Sequence, residues 1–418
     1  MIKQPQASLF DLVMCLSEAI DLVDLTLAGH HKKVAYIGSC LGAEMKLLLS
    51  QQTNLILAGA LHDIGALSLS ERMNTLRFDF QDKSNLHAEL GERLLATFPP
   101  FVKLLPIVRY HHVYFKKERG DIYKDHAIPI ESYILHLADR VSVSMDPNRE
   151  ILEQTQDIAR KISAESGKMF HPEVVEAFMK LVDKEYFWIE ICSPSISSIL
   201  RQTQKGHSLS LDLKQLEDLA LLFSKLIDFR SAFTATHSAA VASVAEALSK
   251  LAGFSEHESH YMKIAGYLHD LGKLAISKEI LEKPAKLDQN ELNKMKYHTY
   301  YTYRILNSID DFQTISEWCA FHHERIDGTG YPFHHSKYNL PIGARIMSIA
   351  DVFTAISEDR PYRSGMDADA IKGVLTSLSG SSLDTELVQL CIRNFDHLYE
   401  IRKQTQVELL SQYDRIVS

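Results

Sequence analysis

Residues 213–229, LKQLEDLALLFSKLIDF, place Leu213, Leu216, Leu219, Ala220, Phe223, Leu226 and Ile227 on one face at helical spacing. The same periodicity recurs at 9–27, 86–98, 131–145, 240–252, 291–306 and 342–357, and alternation with a period of two is scarce. The pattern predicts an all-α chain. No apolar run approaches the roughly 18 residues of a membrane helix. The N-terminal stretch is interrupted by Asp11, Glu18, Asp21 and Asp24 at helical spacing, which argues against a secretion signal.

The pattern also repeats. AGALHDIG at 58–65 returns as AGYLHDLG at 265–272. Around that anchor the spacings agree. Asp21 to His30 and Asp228 to His237 are both 9 residues, and His30 to His62 and His237 to His269 are both 32. His62 to His87 is 25 against 29 for His269 to His298, and His87 to His111 is 24, as is His298 to His322. His112 to Asp139 is 27 against 28 for His323 to Asp351. One agreement could be chance; an ordered series of His, His-Asp, His, His-His and Asp in both halves predicts two copies of one helical domain. The boundary falls near ICSPSISSILRQTQKGHSLS, 191–210, a Ser-rich stretch that reads as a linker or short connector, giving domains of 1–200 and 205–418.

Composition narrows the chemistry. Net charge is −9, which argues against a partner that is a long nucleic acid but not against a small phosphate ligand. Five cysteines, none paired at C-x-x-C spacing, fit a reducing cytoplasm without membrane attachment. Twenty histidines are the unusual feature. Taken singly, each is most simply a surface or core imidazole. Taken together, His237, His269, Asp270, His298, His322, His323 and Asp351 are too many ligands for one metal and suit two. Imidazole with carboxylate favours iron, manganese, nickel or zinc. Asp270, expected in mid-helix beside His269, has two oxygens and is the natural bridge between two ions, which could activate water and clamp a phosphate. Lys273 is expected on the same helix face, where a cation could hold a phosphate oxygen; the bland alternative is a surface lysine. HHERIDGTGYP, 322–332, carries Asp327, Gly328, Gly330 and Pro332, so the helix bearing the histidine pair should end there, with Tyr331 free to stack on a base. Arg360 and Arg363 in DRPYR form either a phosphate fork or a solvated helix end.

These motifs together resemble the HD-GYP phosphodiesterases, a branch of the HD superfamily that degrades bacterial cyclic dinucleotides. The resemblance covers about residues 205–400. It implies that His237, His269, Asp270 and Asp351 hold one divalent ion and that Asp270 bridges to a second on His298, His322 and His323. Iron or manganese is expected ahead of nickel or zinc. It implies that Asp270 and Lys273 are catalytic, with Lys273, Tyr331, Arg360 and Arg363 contacting substrate. Some members carry a glutamate four residues before the first histidine and bind a third ion. That position is Phe233 here, which implies two; Thr299 stands where proline is common. The implied reaction is hydrolysis of a 3′–5′ phosphodiester in 3′,3′-cyclic GMP-AMP or cyclic di-GMP to a linear dinucleotide. The tandem arrangement is similar to that of cyclic GMP-AMP phosphodiesterases.

The first half keeps His30, His62, Asp63, His87, His111, His112 and Asp139 but has Ala66 at the Lys273 position, Gly120 at the Tyr331 position, and Asn148 and Ile151 at the arginine positions. It reads as a degenerate HD-type domain, regulatory or structural, whose metal set is vestigial or still occupied. Three rivals stand beside the phosphodiesterase: a non-catalytic signalling scaffold, a receptor that binds cyclic dinucleotide without turnover, and an HD-type mononucleotidase. The ligand series and Lys273 argue against the first two, the HHERIDGTGYP loop against the third. A homo-oligomer stays open.

Overall fold

The computed structural model describes residues 7–22, 29–66, 86–116, 121–123, 125–204, 209–229, 236–359 and 364–417. The chain divides into two compact units, Ser8–Leu209 and Ser210–Ser418, the second joined by Ala7, whose carbonyl accepts from the Leu211 amide. Among the described residues both are helical apart from a two-stranded hairpin, β1 Ile122–Tyr123 and β2 His126–Ala127. No helix among the described residues is long and apolar enough to cross a membrane.

In the N-terminal unit, α1 (Leu9–Asp21), α2 (His30–Glu44), α3 (Leu49–Leu61), α4 (Leu86–Leu95), α5 (Leu105–Arg109) and α6 (Ile130–Ser144) precede α7 (Thr155–Ala164), α8 (Pro172–Val182), α9 (Glu185–Ile191) and α10 (Ile196–Thr203). The second unit contains α11 (Leu213–Asp228), α12 (His237–Leu251), α13 (Glu256–Leu268), α14 (Lys278–Leu281), α15 (Gln289–Leu306), α16 (Gln313–Ala320), α17 (Ile342–Ser357), α18 (Ala368–Leu378), α19 (Thr385–Arg393) and α20 (Phe395–Val417). Starts of helices are written locally: Asp212 with Gln215, Ser255 with Glu258 and Asp288 with Glu291 form reciprocal capping boxes at α11, α13 and α15.

The repeat is packed the same way twice. In each unit the helix that begins with the first histidine, α2 or α12, lies against the helix that leads to the His-Asp pair, α3 or α13. A glycine permits the contact. A Cβ on Gly59 would fall 2.6 Å from the Ala35 Cα, and one on Gly266 would fall 2.3 Å from the Ala242 Cα. The glycine after each His-Asp pair serves a second approach. A Cβ on Gly65 would sit 2.0 Å from the His87 carbonyl oxygen, and one on Gly272 2.0 Å from that of His298. This is why both copies of the motif contain both glycines: they seat the His-Asp turn on the helix that carries the next histidine.

Three local expectations are corrected. Asp270 is not in mid-helix: α13 stops at Leu268, His269 caps it, and Asp270 precedes a 3₁₀ turn, Leu271–Ala275, that holds Lys273. Placing the pair at a helix end lets the chain turn toward α15, which an uninterrupted helix would not. The His322–His323 pair is not on a helix that ends at the glycine-rich loop; α16 already ends at Ala320 and the pair lies in the turn beyond. The stretch at 191–210 is more than a connector, since α10 forms within it and buries Ile196 and Leu200. Phe233, Gly120, Arg360 and Arg363 lie outside the described residues.

Candidate metal centres

All seven ligand candidates of the C-terminal unit converge. His237 opens α12, His298 lies on α15 and Asp351 on α17; the two histidine-bearing turns close the ring. Three groups of potential ligand atoms lie each within 4.8 Å of one another: His237, His269 and Asp351 on one side, His298, His322 and His323 on the other, and His269, Asp270 and His322 drawing on both. Asp270 lies between the first two, its oxygens divided. Oδ2 is 3.1 Å from His269 Nε2, and Oδ1 is 3.5 Å from His298 Nε2. A carboxylate that faces one histidine group with each oxygen has the geometry of a bridge.

The imidazoles are aimed by their other nitrogen. His269, His298 and His322 each donate Nδ1–H to the carbonyl three residues back: Gly266 at 2.8 Å, Met295 at 2.6 Å and Cys319 at 2.5 Å. That fixes the tautomer with Nε2 bare and inward, the outer-shell arrangement usual for metal-bound histidine. The Nε2 atoms of His298 and His322 are buried without a hydrogen-bond partner. Such nitrogens are costly unless something with a positive charge or a proton meets them. Burial lowers His298 to about 3 and also lowers His322 and His323, leaving them neutral at pH 7, as ligation requires. Burial alone would raise the Asp270 carboxyl, but His269, Lys273 and His298 hold it well below the ordinary carboxylate range.

His237 is held differently. Its Nε2 faces Asp351 Oδ1 at 3.3 Å and its Nδ1 faces Glu358 Oε2 at 3.0 Å. Burial opposes its charge, yet Glu358 and Asp351 outweigh burial and raise it to about 10. Glu358, itself buried, was missed by the sequence reading. Its one signal was its place, directly before the DRPYR motif. Thr302 was missed too; its hydroxyl donates to the His269 carbonyl and accepts from the Gly272 amide, pinning the His-Asp turn to α15.

A cavity of about 300 Å³ opens on this centre, lined by Asp228, His237, Asp270, Lys273, His323 and Asp351 among others. Lys273 Nζ is 2.5 Å from Asp270 Oδ2 and about a quarter exposed. Tyr331 stands at the far side of His323, ring centroids 5.0 Å apart, with Lys296 Nζ 5.4 Å from its own ring centre. Its loop is tied down by Glu324, which accepts from the Phe333 and His335 amides at 2.6 and 3.0 Å.

The N-terminal unit gathers its own set. Asp63 Oδ1 is 3.5 Å from His87 Nε2 and 3.5 Å from His111 Nε2, while Oδ2 is 3.6 Å from His62 Nε2. His30 Nε2 faces Asp139 Oδ1 at 3.4 Å, but its Nδ1 meets Ser142 Oγ at 3.1 Å rather than a carboxylate. Three residues here were not foreseen. His31 pairs with Asp21, His136 is fully buried nearby, and Arg140, fully buried, grips Asp139 through Nε and a terminal nitrogen at 3.2 and 2.5 Å. Ala66 replaces the lysine and is buried.

Paired helical units, each built around a His, His-Asp, His, His-His and Asp ring, define a class of metal-dependent hydrolase. Both units are HD domains, and the chain belongs to that family: residues 27–144 match one HD domain family model and residues 221–387 match another. The chain is 28% identical to a 3'3'-cGAMP-specific phosphodiesterase 1 of Vibrio cholerae, over 93% of this chain and 92% of that protein. It is 32% identical to a 3'3'-cGAMP-specific phosphodiesterase 3 of the same organism, over 63% of this chain and 56% of that protein. A cyclic di-GMP phosphodiesterase response regulator of Xanthomonas campestris matches 43% of the chain, and 48% of its own length, at 34% identity. Among solved structures, a cyclic GMP-AMP phosphodiesterase of V. cholerae aligns with a TM-score of 0.65 at 23% identity, covering 93% of this chain and 98% of that one, so the two share a fold.

Proposed function

We propose that the C-terminal unit hydrolyses a 3′–5′ phosphodiester of a cyclic dinucleotide at a divalent metal pair. The observation that carries this reading is the division of the Asp270 oxygens between two histidine groups at the floor of a cavity that also holds Lys273. His237, His269 and Asp351 would hold one ion, His298, His322 and His323 the other, with Asp270 between. The donor set suits iron or manganese. Two divalent ions held there would supply an activated water and offset phosphate charge.

The residues of the chain then do the rest. Water adds across one P–O bond: the new bond forms opposite the departing ribose oxygen, which leaves carrying a proton. Lys273, which lines the cavity, is placed to hold a non-bridging phosphate oxygen and to balance charge that grows on it. Glu358 keeps His237 oriented, and the backbone carbonyls of Gly266, Met295 and Cys319 keep the other imidazoles oriented. The cavity is at the small end of ligand sites. It suits the reacting phosphate, leaving a base to stack outside, on Tyr331. A phosphate contact by Arg360 and Arg363 rests on the sequence pattern alone.

Of the two substrate candidates, 3′,3′-cyclic GMP-AMP comes first. A relative that aligns over 93% of the chain is named for it, whereas the cyclic di-GMP relatives cited match less than half the chain. The test is hydrolysis of 3′,3′-cyclic GMP-AMP, cyclic di-GMP and cyclic di-AMP side by side with iron(II) or manganese, products resolved by chromatography. Cleavage that disappears in Asp270→Ala is the expected result, and the order of rates names the substrate. No cleavage of any of the three by protein carrying two ions in this unit would overturn the reading and favour a mononucleotide substrate or a receptor.

A further inference from the structure

We propose that the N-terminal unit carries one permanently bound, structural divalent ion of the zinc type on Asp63, His87, His111 and His112, and that Arg140 takes the place of a second. The inference holds whether or not the C-terminal unit hydrolyses anything.

The four ligand atoms lie within 4.8 Å of one another and all four residues are buried. His111 donates Nδ1–H to the Val108 carbonyl at 2.6 Å, so Nε2 points inward, 3.5 Å from Asp63 Oδ1, and His87 Nε2 reaches the same oxygen at 3.5 Å. Three imidazoles and a carboxylate can fill four positions around an ion, and with every one of them buried no position is left to solvent, as in a closed structural site. The matching C-terminal set, His298, His322, His323 and Asp270, has the same donors but differs in access: His323 is partly exposed, and a cavity is lined by His298, His323 and Asp270. The N-terminal set is closed on every residue. A cavity of about 300 Å³ in this unit reaches His30 but is lined by none of Asp63, His87, His111 or His112.

The other half of the repeat has been altered. In the C-terminal unit Asp351 groups with His237 and His269. In the N-terminal unit the corresponding group is His30, His62 and Asp63, and among the described residues Asp139 is not part of it. One Asp139 oxygen is taken by Arg140, whose guanidinium is fully buried. The residue at that position in the second copy is Val352. A buried guanidinium supplies the positive charge a carboxylate needs there and repels a divalent ion brought alongside it. One copy of the repeat thus exchanges an ion for an arginine.

The test is metal content of the full-length protein, purified from zinc-supplemented culture and assayed by mass spectrometry, with an anomalous-scattering map at the zinc edge. His111→Ala should lose one equivalent relative to the parent. Arg140→Met should gain one. The map of the unmodified chain should show a single peak in this unit, among Asp63, His87, His111 and His112. No peak there, or an unchanged metal count in His111→Ala, overturns the site; two peaks in the N-terminal unit of the unmodified chain overturn the substitution by Arg140. Should His111→Ala not fold, the map decides by itself. Asp270→Ala leaves the N-terminal peak in place, so failure of this proposal and failure of the hydrolase reading are read separately.

Discussion

The two units keep the same ring of histidines and aspartates and differ in what surrounds it. Around Asp270 the ring is open: Glu358 backs His237, Lys273 reaches the Asp270 carboxylate, and a cavity reaches Asp351. Around Asp63 the ring is closed: Ser142 replaces the glutamate, Ala66 the lysine, and Arg140 sits on Asp139. On the proposed reading, ligand residues alone do not separate a catalytic centre from a structural one; a nearby cation, a carboxylate behind the first histidine and a way in from solvent do.

The sharpest break of this comparison is a pair of matched substitutions. His269→Ala should lower turnover by more than about 10³-fold, as it removes an inner ligand beside the bridge. His62→Ala, the matching change, should leave turnover per folded molecule within about threefold while lowering the melting temperature, because a fully buried side chain is deleted. Steady-state rates with circular dichroism melts would show it. Equal loss of turnover in both would mean that the N-terminal ring takes part in catalysis.

A smaller effect is expected at Lys273. Lys273→Ala should keep both ions and lower kcat/KM by about 10²–10³-fold, the usual cost of one charge-stabilising contact. Metal analysis beside kinetics is needed, since Lys273 also touches Asp270. Loss of an ion would show that the lysine serves the bridge, and unchanged kcat/KM would return it to the surface lysine of the bland alternative.

Most of the ring was legible in the sequence because the spacing of ligands is preserved by the repeat, and the repeat can be counted. The glycines were legible as part of AGALHDIG and AGYLHDLG, though their function, the close approach to Ala35, Ala242, His87 and His298, needed coordinates. Helix ends were read wrongly at His269 and His322. Apolar periodicity runs on past both, and only the turn toward the next histidine reveals that the helix has stopped. Glu358 and Arg140 were invisible for a different reason. Each is an ordinary charged residue in sequence, and its meaning lies in being buried against one chosen partner, Glu358 on His237 across 121 positions and Arg140 on its neighbour Asp139.

Glu358 offers the finest test of the comparison, through pH. In metal-free protein His237 is raised from 6.5 to about 10, whereas burial lowers His30 despite the pull of Asp139. A histidine raised by folding retains a proton that the unfolded chain releases. Its contribution is complete below pH 6.5 and is lost as pH rises toward 10. A lowered histidine acts oppositely: the unfolded chain takes the proton first, so stability falls as pH drops below 6.5. Chelated protein should therefore lose stability on both sides, the alkaline side from the C-terminal unit. Glu358→Gln removes the largest cause that raises His237, so the alkaline loss between pH 6.5 and about 10 should flatten while the acid side is unchanged. In the loaded protein the same change should weaken metal binding by about 10–100-fold, the usual effect of losing a carboxylate behind a ligating histidine. Denaturant midpoints against pH, with and without chelator, would measure the first, and competition with a chromogenic chelator the second. An unaltered alkaline slope together with unaltered metal affinity would show that Glu358 does not orient His237, leaving Lys273 and the open cavity to account for the difference between the two rings.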